Sequence, residues 1–138
     1  MRTVTISEAA LAELERQVPQ GVPVTMLNLL RFRDTADYGP NDTLAPCSGR
    51  AAYYERYAPA VTPMVMALGG RVVWAGSVLG HPVCRDDERW DDMLVVEYPD
   101  IESILGMFRS PDYQAQVMHR TAALADSRLI ATREGDKP

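Results

Sequence analysis

The stretch that decides the fold is Val24–Phe32, with the sequence VTMLNLLRF. It is apolar on both alternating faces apart from Asn28 and Arg31, and this pattern is typical of a strand that is covered on both sides. The sequence therefore predicts a central strand with a packed layer against each of its faces.

Further elements are predicted after this strand. Residues 34–49 are dense in Gly, Pro, Asn and Asp and indicate a long loop. Between Arg50 and Leu68, apolar residues recur at three- and four-residue steps and predict a helix, which Pro59 and Pro63 should kink or split. The remaining predicted elements are strands at 71–80 and 93–99, helices at 100–109 and 111–125, and a last strand at 127–132.

The predicted order of elements is the split βαβ arrangement of ferredoxin-like α+β domains, with a four-stranded antiparallel sheet. Helices cover only one face of such a sheet. Strand 24–32 is nevertheless apolar on both faces, and 73–79 and 93–98 are nearly so. The simplest cover for the second face is another copy of the chain, packed sheet to sheet as a homodimeric α/β barrel.

An extra N-terminal helix is predicted ahead of this unit. Thr5 and Glu8 have capping-box spacing, and the Ala/Leu/Glu-rich stretch behind them indicates a short helix that ends near Pro19 and Gly21. We therefore divide the chain into a helical appendage at 1–21 and a ferredoxin-like domain at 22–138.

Composition excludes several classes of protein. The 138 residues fit one core, and 46% hydrophobic with 24% charged residues is an ordinary globular mixture. A net charge of −5 has the wrong sign for nucleic acid binding. Acidic residues near the N-terminus interrupt the apolar run of a secretory signal, and Pro and Gly break the most apolar region, 61–79. We expect a cytoplasmic protein without a membrane span, its two cysteines free.

Several motifs together resemble those of a known family. They are VTMLNLLRF, Tyr54 and Tyr57 followed by GGR at 69–71, WDDMLVVEYPD from Trp90, and SPDYQ with HRTAALADSRLI after it. Over roughly residues 22–133 the chain resembles bacterial proteins of unknown function in the dimeric α/β-barrel superfamily. The resemblance implies a ferredoxin-like fold, a homodimer and a pocket between helices and sheet, but no established reaction. Relatives in the superfamily include cofactor-independent monooxygenases, lactone isomerases, polyketide cyclases and haem-handling proteins.

Polar residues at predicted core positions are the first candidates for a site. Burying the Asn28 amide without a partner costs about 1–3 kcal/mol, so it must bond to a ligand, to nearby backbone or across a dimer. Tyr54 and Tyr57, one turn apart on the inward helix face, either place two hydroxyls in the pocket or fill the core. Tyr53 is expected at the rim.

Strand 71–80 adds an aromatic candidate. Trp74 shares a predicted strand face with Val72 and Val78, where a large ring either fills volume or contacts a ligand. Arg31, on the central strand, binds either an anionic ligand or a carboxylate.

Helical periodicity separates the candidates of the last helix. Its predicted buried side is formed by Tyr113, Val117, Thr121 and Leu124. His119 is the obvious general base near neutral pH, but it falls nearly opposite Val117, which favours a solvent or dimer contact. Arg120 borders the buried side and reaches either an anionic ligand group or a carboxylate such as Asp126 or Glu97.

Metal and nucleotide sites are not predicted. His81 and Cys84 have an H-x-x-C spacing, but zinc needs three or four ligands and only Cys47 and His119 remain as further candidates. The acidic run 85–92 lacks calcium-loop spacing. The common phosphate-loop, hydrolase and zinc-protease motifs do not occur in the sequence, and no histidine is a persuasive haem ligand.

We therefore expect a small-molecule enzyme that uses no metal or other cofactor and acts on a mostly apolar substrate with a carbonyl or phenol group. The predicted catalytic residues are Arg120, Tyr54, His119 and Asn28. The residues predicted to bind substrate are Tyr57, Trp74, Tyr113 and Arg31. Arg120 or Asn28 would stabilise negative charge, and a tyrosine or His119 would move the proton. The alternative is a non-catalytic dimeric ligand-binding or accessory module whose pocket is filled by side chains.

Overall fold

The computed structural model describes residues 2–40 and 42–138 and contains one four-stranded antiparallel sheet. Its strands are β1 (Val24–Phe32), β2 (Arg71–Ser77), β3 (Asp92–Tyr98) and β4 (Leu124–Thr132). They lie in the order β2-β3-β1-β4, with helical crossovers between β1 and β2 and between β3 and β4. This is the ferredoxin-like topology, and it confirms the predicted fold class.

The central strand β1 has two different faces. Val24, Met26 and Leu30 are buried against the helices. Leu27 and Leu29 alternate with them and therefore point to the opposite face of the sheet, where they remain partly exposed. The helices cover one face of the sheet, as the two-layer arrangement requires.

The first crossover is one irregular helical segment. It consists of α2 (Gly49–Ala51), a π-helical turn at Ala52–Tyr57, and α3 (Ala58–Ala67). The backbone N–H of Ala58 donates to the carbonyl of Tyr53, five residues earlier. Pro59 cannot donate to the preceding turn and its ring crowds it, which fits a wider turn at this place. An interruption is thus present just before Pro59, but the break predicted at Pro63 was wrong, because Pro63 lies inside α3.

The second crossover contains three helices. α4 (Ile101–Arg109) is capped by Asp100, whose Oδ1 accepts a 2.7 Å hydrogen bond from the backbone N–H of Ser103. α5 (Pro111–Gln114) is capped by Ser110 and has proline as its first residue, as expected. α6 (Val117–Ala123) follows after a break at 115–116, so the single helix predicted at 111–125 was wrong.

The N-terminal helix α1 (Glu8–Gln17) is present but has a different cap from the predicted one. The Oγ of Ser7, not of Thr5, accepts a 3.1 Å hydrogen bond from the backbone N–H of Ala10. Ser7 directly precedes the first helical residue, which is the position from which a side chain reaches that donor. Val4 and Leu11 are buried in the same core as the sheet.

A bulge in β2 reverses the expected direction of Trp74. Val72 lies opposite Val96 of β3, but Trp74 lies opposite Val95, with a register shift between them. The extra residue, Val73, interrupts the alternation of the strand. The prediction that Trp74 shares a face with Val72 was therefore wrong: Trp74 is 58% exposed on the sheet face away from the helices.

That open face is largely apolar. Its apolar side chains are Leu27, Leu29, Trp74, Met93, Val95 and Ile130. Within the described ranges, no helix is long and apolar enough to cross a bilayer.

Candidate functional site

A small cavity lies between the helices and the covered face of the sheet. It holds about 80 Å³ of space that water can enter. Its polar lining residues are Asn28, Tyr53, Tyr57, Thr62, Tyr98 and Arg120. Its apolar lining residues are Ile6, Met26, Ala58, Val61, Val65, Val72, Leu94, Val96, Met107, Phe108 and Leu129. At about 30 Å³ for each water in the liquid, the space takes two or three waters or a small chemical group.

Arg120 is the one charged residue among the described residues of the lining. It projects from α6, and only 3% of it is exposed. Its guanidinium donates to the carbonyl of Val4 and, at 3.4 Å, to the Oγ of Ser127. A guanidinium has five N–H donors, so three are left without a protein partner among the described residues.

No described carboxylate forms an ion pair with this buried cation. The predicted alternatives were Asp126 and Glu97, and both were wrong. Asp126 accepts hydrogen bonds from Thr3 and Arg128, whereas Glu97 lies 3.4 Å from the guanidinium of Arg71. Buried charges in proteins are normally paired because burial removes their hydration. Arg120 is therefore an unneutralised positive charge at the cavity.

Asn28 interrupts the apolar side of β1 and lines the same cavity. Its amide Nδ2 donates to the carbonyl of Leu94 across the sheet at 3.4 Å, which is a long hydrogen bond. Of the three partners predicted for the Asn28 amide, the structure therefore confirms nearby backbone. The amide oxygen accepts no hydrogen bond from another described residue and is available to a ligand donor.

Two tyrosines of the π-helical turn present hydroxyls at the cavity. Tyr57 is buried, and its hydroxyl pairs with that of Tyr113 at 2.8 Å. Tyr53 is 4% exposed, and its hydroxyl forms no hydrogen bond with the rest of the described chain. Burial raises the pKa of Tyr53 to about 12 and raises the pKa of Tyr57 well above its usual range. Both phenols are therefore neutral hydrogen-bond donors at neutral pH.

Tyr54 lies outside the cavity, although the sequence predicted it on the inward face with Tyr57. Its hydroxyl donates to the carboxylate of Asp92 at the start of β3. A π-helical turn advances less per residue than the 100° of an α-helix, which carries Tyr54 away from Tyr57. Tyr53, expected at the rim, takes the inward position.

Asp92 organises a separate cluster around Tyr54. Arg50 donates two hydrogen bonds to its carboxylate, at 2.9 and 3.0 Å, and stacks over the ring of Phe32. Burial opposes ionisation of Asp92, but the hydrogen bonds from Arg50 and Tyr54 outweigh it and lower the pKa of this carboxyl. Burial, followed by the bond to Asp92, raises the pKa of Tyr54. The Asp92 carboxylate is therefore ionised and hydrogen-bonded through both oxygens, and it joins α2 and the π-helical turn to β3.

His119 is half-buried rather than solvent-facing, and it is not part of the cavity. The loop after β1 crosses α6, with the N–H of Asp37 donating to the carbonyl of Ala122. This places the Tyr38 hydroxyl 2.7 Å from His119 Nδ1. Burial, together with the nearby charge of Arg56, lowers the pKa of His119. Its predicted catalytic role remains a prediction, with no geometric support from the cavity.

The remaining sequence candidates are also separated from the cavity. Arg31 is exposed at the end of β1, and Trp74 lies on the open sheet face. Tyr113 does not line the cavity, but its hydroxyl pairs with that of Tyr57 and its ring packs on Phe108, both of which do. His81 Nε2 accepts from the backbone N–H of Trp90, and Cys84 donates to the carbonyl of Glu88. Within residues 2–40 and 42–138, no group of three or more His, Cys, Asp or Glu side chains is arranged to hold a metal ion.

The cavity can therefore bind and polarise an oxygen atom. Arg120, Asn28, Tyr53 and Tyr57 supply hydrogen-bond donors, and most other lining residues are apolar. No carboxylate or imidazole of the described residues lines it, so it contains no side chain of suitable pKa to remove a proton. Sequence reasoning missed Tyr53 and Tyr98; the four-residue spacing of Tyr53 and Tyr57 was the available signal for the first.

Comparisons with known proteins place the chain among uncharacterised relatives. A family profile described as "Domain of unknown function (DUF1330)" matches residues 49–133. Two solved structures of a protein of unknown function from Rhodopseudomonas palustris are 32% identical to the chain, each with a TM-score of 0.87. One covers 99% of this chain and 100% of that one; the other, of the methylated protein, covers 98% and 96%.

A more distant structure is that of a dimeric ferredoxin-like protein of unknown function from Thermobifida fusca. It is 17% identical over 83% of this chain and 92% of that one, with a TM-score of 0.48. No curated protein matches the chain.

Proposed function

The chain belongs to the DUF1330 family, a domain of unknown function. For this chain we propose that it binds a small, mostly apolar molecule through an acidic or carbonyl oxygen. The observation that carries this proposal is the buried guanidinium of Arg120, which lines a cavity and has no carboxylate partner among the described residues. An anionic oxygen in the cavity would neutralise it.

The other polar groups of the cavity support the same ligand chemistry. The Tyr53 hydroxyl has no partner among the described residues, and the Asn28 amide has one long hydrogen bond. Donors held in a buried, weakly solvated space interact with a negative oxygen more strongly than donors in water do. The ligand class is therefore a carboxylate, a phenolate or an enolate, with its charged oxygen in the cavity and its apolar body, which is too large for about 80 Å³, extending beyond it.

The test compares two ligands of nearly the same shape, one anionic and one neutral. We expect benzoate to raise the melting temperature of the protein, by an amount equivalent to about 2.7 kcal/mol at a hundredfold excess over Kd, and the neutral isostere benzamide to raise it much less. Arg120→Met should abolish the difference between the two. Equal shifts for benzoate and benzamide would contradict the proposal.

The design needs a safeguard because Arg120 also bonds to Val4 and Ser127. If Arg120→Met does not fold, Tyr53→Phe provides the alternative, because it removes a donor that has no partner in the described chain. We expect Tyr53→Phe to fold and to weaken benzoate binding several-fold, whereas unchanged affinity would contradict a donor role for Tyr53.

A second candidate function is a cofactor-independent enzyme. Its support is the same set of donors, which would stabilise the anion of a bound phenol or enol and so activate its carbon for reaction. Since no base of the described residues lines the cavity, the ligand's proton would pass to water rather than to the protein. Non-catalytic binding needs no such step and is the simpler form of the proposal.

We further propose that the functional species is a homodimer formed through the open sheet face. Trp74 and Ile130 are 58% and 46% exposed on this face, beside partly exposed Leu27 and Val95. An apolar surface of this kind is uncommon on a monomer. A two-fold axis would bury both copies of it and would leave each cavity, on the other side of the sheet, within one subunit.

A further inference from the structure

A second, larger cavity lies beside the first, beneath α1. It holds about 360 Å³ of space that water can enter, compared with about 80 Å³ in the first. Five residues line both: Ile6, Met26, Phe108, Arg120 and Leu129. Shared walls on this scale make the two cavities neighbouring compartments, with Arg120 at their junction.

The two compartments differ in the chemistry they offer a ligand. The first has the hydroxyls of Tyr53 and Tyr57 and the amide of Asn28. The second adds apolar side chains of α1, namely Ala10, Leu11 and Leu14. One compartment therefore suits a polar head group and the other an apolar chain.

Apart from Arg120, three polar residues of the second compartment, Thr3, Ser127 and Arg128, are hydrogen-bonded within the protein. Ser127 Oγ donates to the carbonyl of Thr3 at 2.6 Å, and Thr3 Oγ1 donates to the carbonyl of Ser127 at 2.6 Å. Arg128 pairs with Asp126 at 3.1 Å. These groups need no hydrogen bond from a ligand, so the compartment offers a ligand mainly aliphatic surface.

From this arrangement we propose that the ligand is a carboxylic acid with a medium-length aliphatic chain, bound with its carboxylate at Arg120 and its chain under α1. The inference rests on the proposed function, because it uses the same anion site. It assigns to the N-terminal helix a direct role in ligand binding. The small compartment is too small for the chain, and the larger one supplies the apolar contacts that a chain requires.

The test is a chain-length series measured by isothermal titration on the unmodified protein, with acetate, butanoate, hexanoate and octanoate below their micellar concentrations. Burial of each methylene should tighten binding about threefold to fourfold, which amounts to roughly a hundredfold between butanoate and octanoate. An equal affinity for butanoate and octanoate would overturn the inference. Arg120-dependent binding of butanoate would in that case still support the proposed function.

A matched pair of variants on α1 locates the chain. Ala9 and Ala10 are both exposed, but Ala10 lines the second compartment and Ala9 lines neither. We expect Ala10→Trp to weaken octanoate binding at least tenfold and leave butanoate binding unchanged, and Ala9→Trp to change neither. A dependence on chain length that persists in Ala10→Trp would place the chain elsewhere and overturn the assignment.

The alcohol 1-octanol controls for unspecific apolar binding. We expect it to bind at least tenfold more weakly than octanoate, because it cannot neutralise Arg120. Equal binding of octanol and octanoate would overturn both the inference and the proposed anion site, as would a failure of every acid in the series to bind.

Discussion

The guanidinium of Arg120 donates a hydrogen bond to the backbone carbonyl of Val4, which lies 116 positions earlier in the chain. Val4 is itself buried in the core, and the next residues lead into α1. The start of the described chain therefore contacts the charged group of the cavity directly. The N-terminal segment therefore forms part of the cavity wall, to which it contributes Ile6.

Removing the hydroxyl of Tyr54 and removing that of Tyr57 should affect different properties. Tyr54→Phe breaks a bond to Asp92 outside the cavity, so we expect a stability loss of about 1–2 kcal/mol with no change in benzoate affinity. Tyr57→Phe removes a cavity hydroxyl and should weaken benzoate binding several-fold. Urea unfolding and calorimetric titration measure the two effects. A loss of benzoate binding in Tyr54→Phe would contradict the placement of Tyr54 outside the binding cavity.

Asp92 should be a major contributor to stability at neutral pH. Asp92→Asn removes the charge that accepts from Arg50 and Tyr54, and we expect a loss of about 2 kcal/mol, moderated by the 53% exposure of the Arg50 side chain. Asp87→Asn, in an exposed pair with Arg85, is the matched control and should change stability by less than about 0.5 kcal/mol. Equal losses in urea unfolding would contradict the role of this cluster.

The pH dependence of the Asp92 contribution follows from its lowered pKa. The contribution is present above the unfolded-state value near 3.8 and is lost as pH falls through the lower folded-state pKa. The stability difference between the wild type and Asp92→Asn should therefore be constant near neutral pH and shrink in acid.

His119 should make the protein less stable in mild acid. Its pKa is lowered from 6.5 in the folded protein, so the unfolded chain binds the proton first as the pH falls. Wild-type stability should fall as pH drops below about 6.5 towards the folded-state pKa, and this component should be missing in His119→Gln. Melting temperatures between about pH 5 and pH 8 provide the measurement. Parallel curves for the two proteins would show that burial and the charge of Arg56 do not lower the pKa of His119.

Two glycine substitutions should act in opposite directions. A Cβ at Gly49 would lie 2.4 Å from the carbonyl oxygens of Ala123 and Arg33, so Gly49→Ala should lose at least about 2 kcal/mol. Gly106, within α4, has nothing within 4 Å of an added Cβ, so Gly106→Ala should gain about 0.5–1 kcal/mol from helix propensity. Thermal unfolding compares both with the wild type, and a stable Gly49→Ala would contradict the close packing of α2 against the backbone of Arg33 and Ala123.

Charges on the open sheet face should separate the proposed dimer. Trp74→Glu and Ile130→Glu place carboxylates on this face, and we expect both variants to sediment as monomers at micromolar concentration where the wild type sediments as a dimer. Met66→Glu, at a 65% exposed position on α3, is the control and should remain dimeric. A monomeric wild type would contradict the proposed assembly.

The fold was predictable because its signal is carried by periodicity along the chain. The two apolar faces of Val24–Phe32 predicted a central strand, and the order of later elements predicted the ferredoxin-like topology. The direction of Trp74 was not predictable, since the bulge at Val73 follows from pairing with β3 and has no glycine or proline to mark it.

The site was predictable only in part. Arg120, Asn28 and Tyr57 do line one cavity, as the inward face of each element indicated. The exchange of Tyr54 for Tyr53 depends on a π-helical turn, which periodicity at 100° per residue does not describe. That Asp126 does not pair with Arg120 was not predictable from local sequence, because Asp126 instead accepts hydrogen bonds from the backbone N–H and the hydroxyl of Thr3, 123 positions earlier.

The most direct test of an unneutralised Arg120 in a binding cavity is the pKa of a bound phenol. 4-Nitrophenol changes its absorbance on ionisation, so its titration can be followed in the presence of saturating protein. We predict that binding lowers its pKa by at least about one unit, a tenfold preference for the anion, and that Arg120→Met removes this shift. An unchanged or raised pKa for the bound phenol would contradict the account.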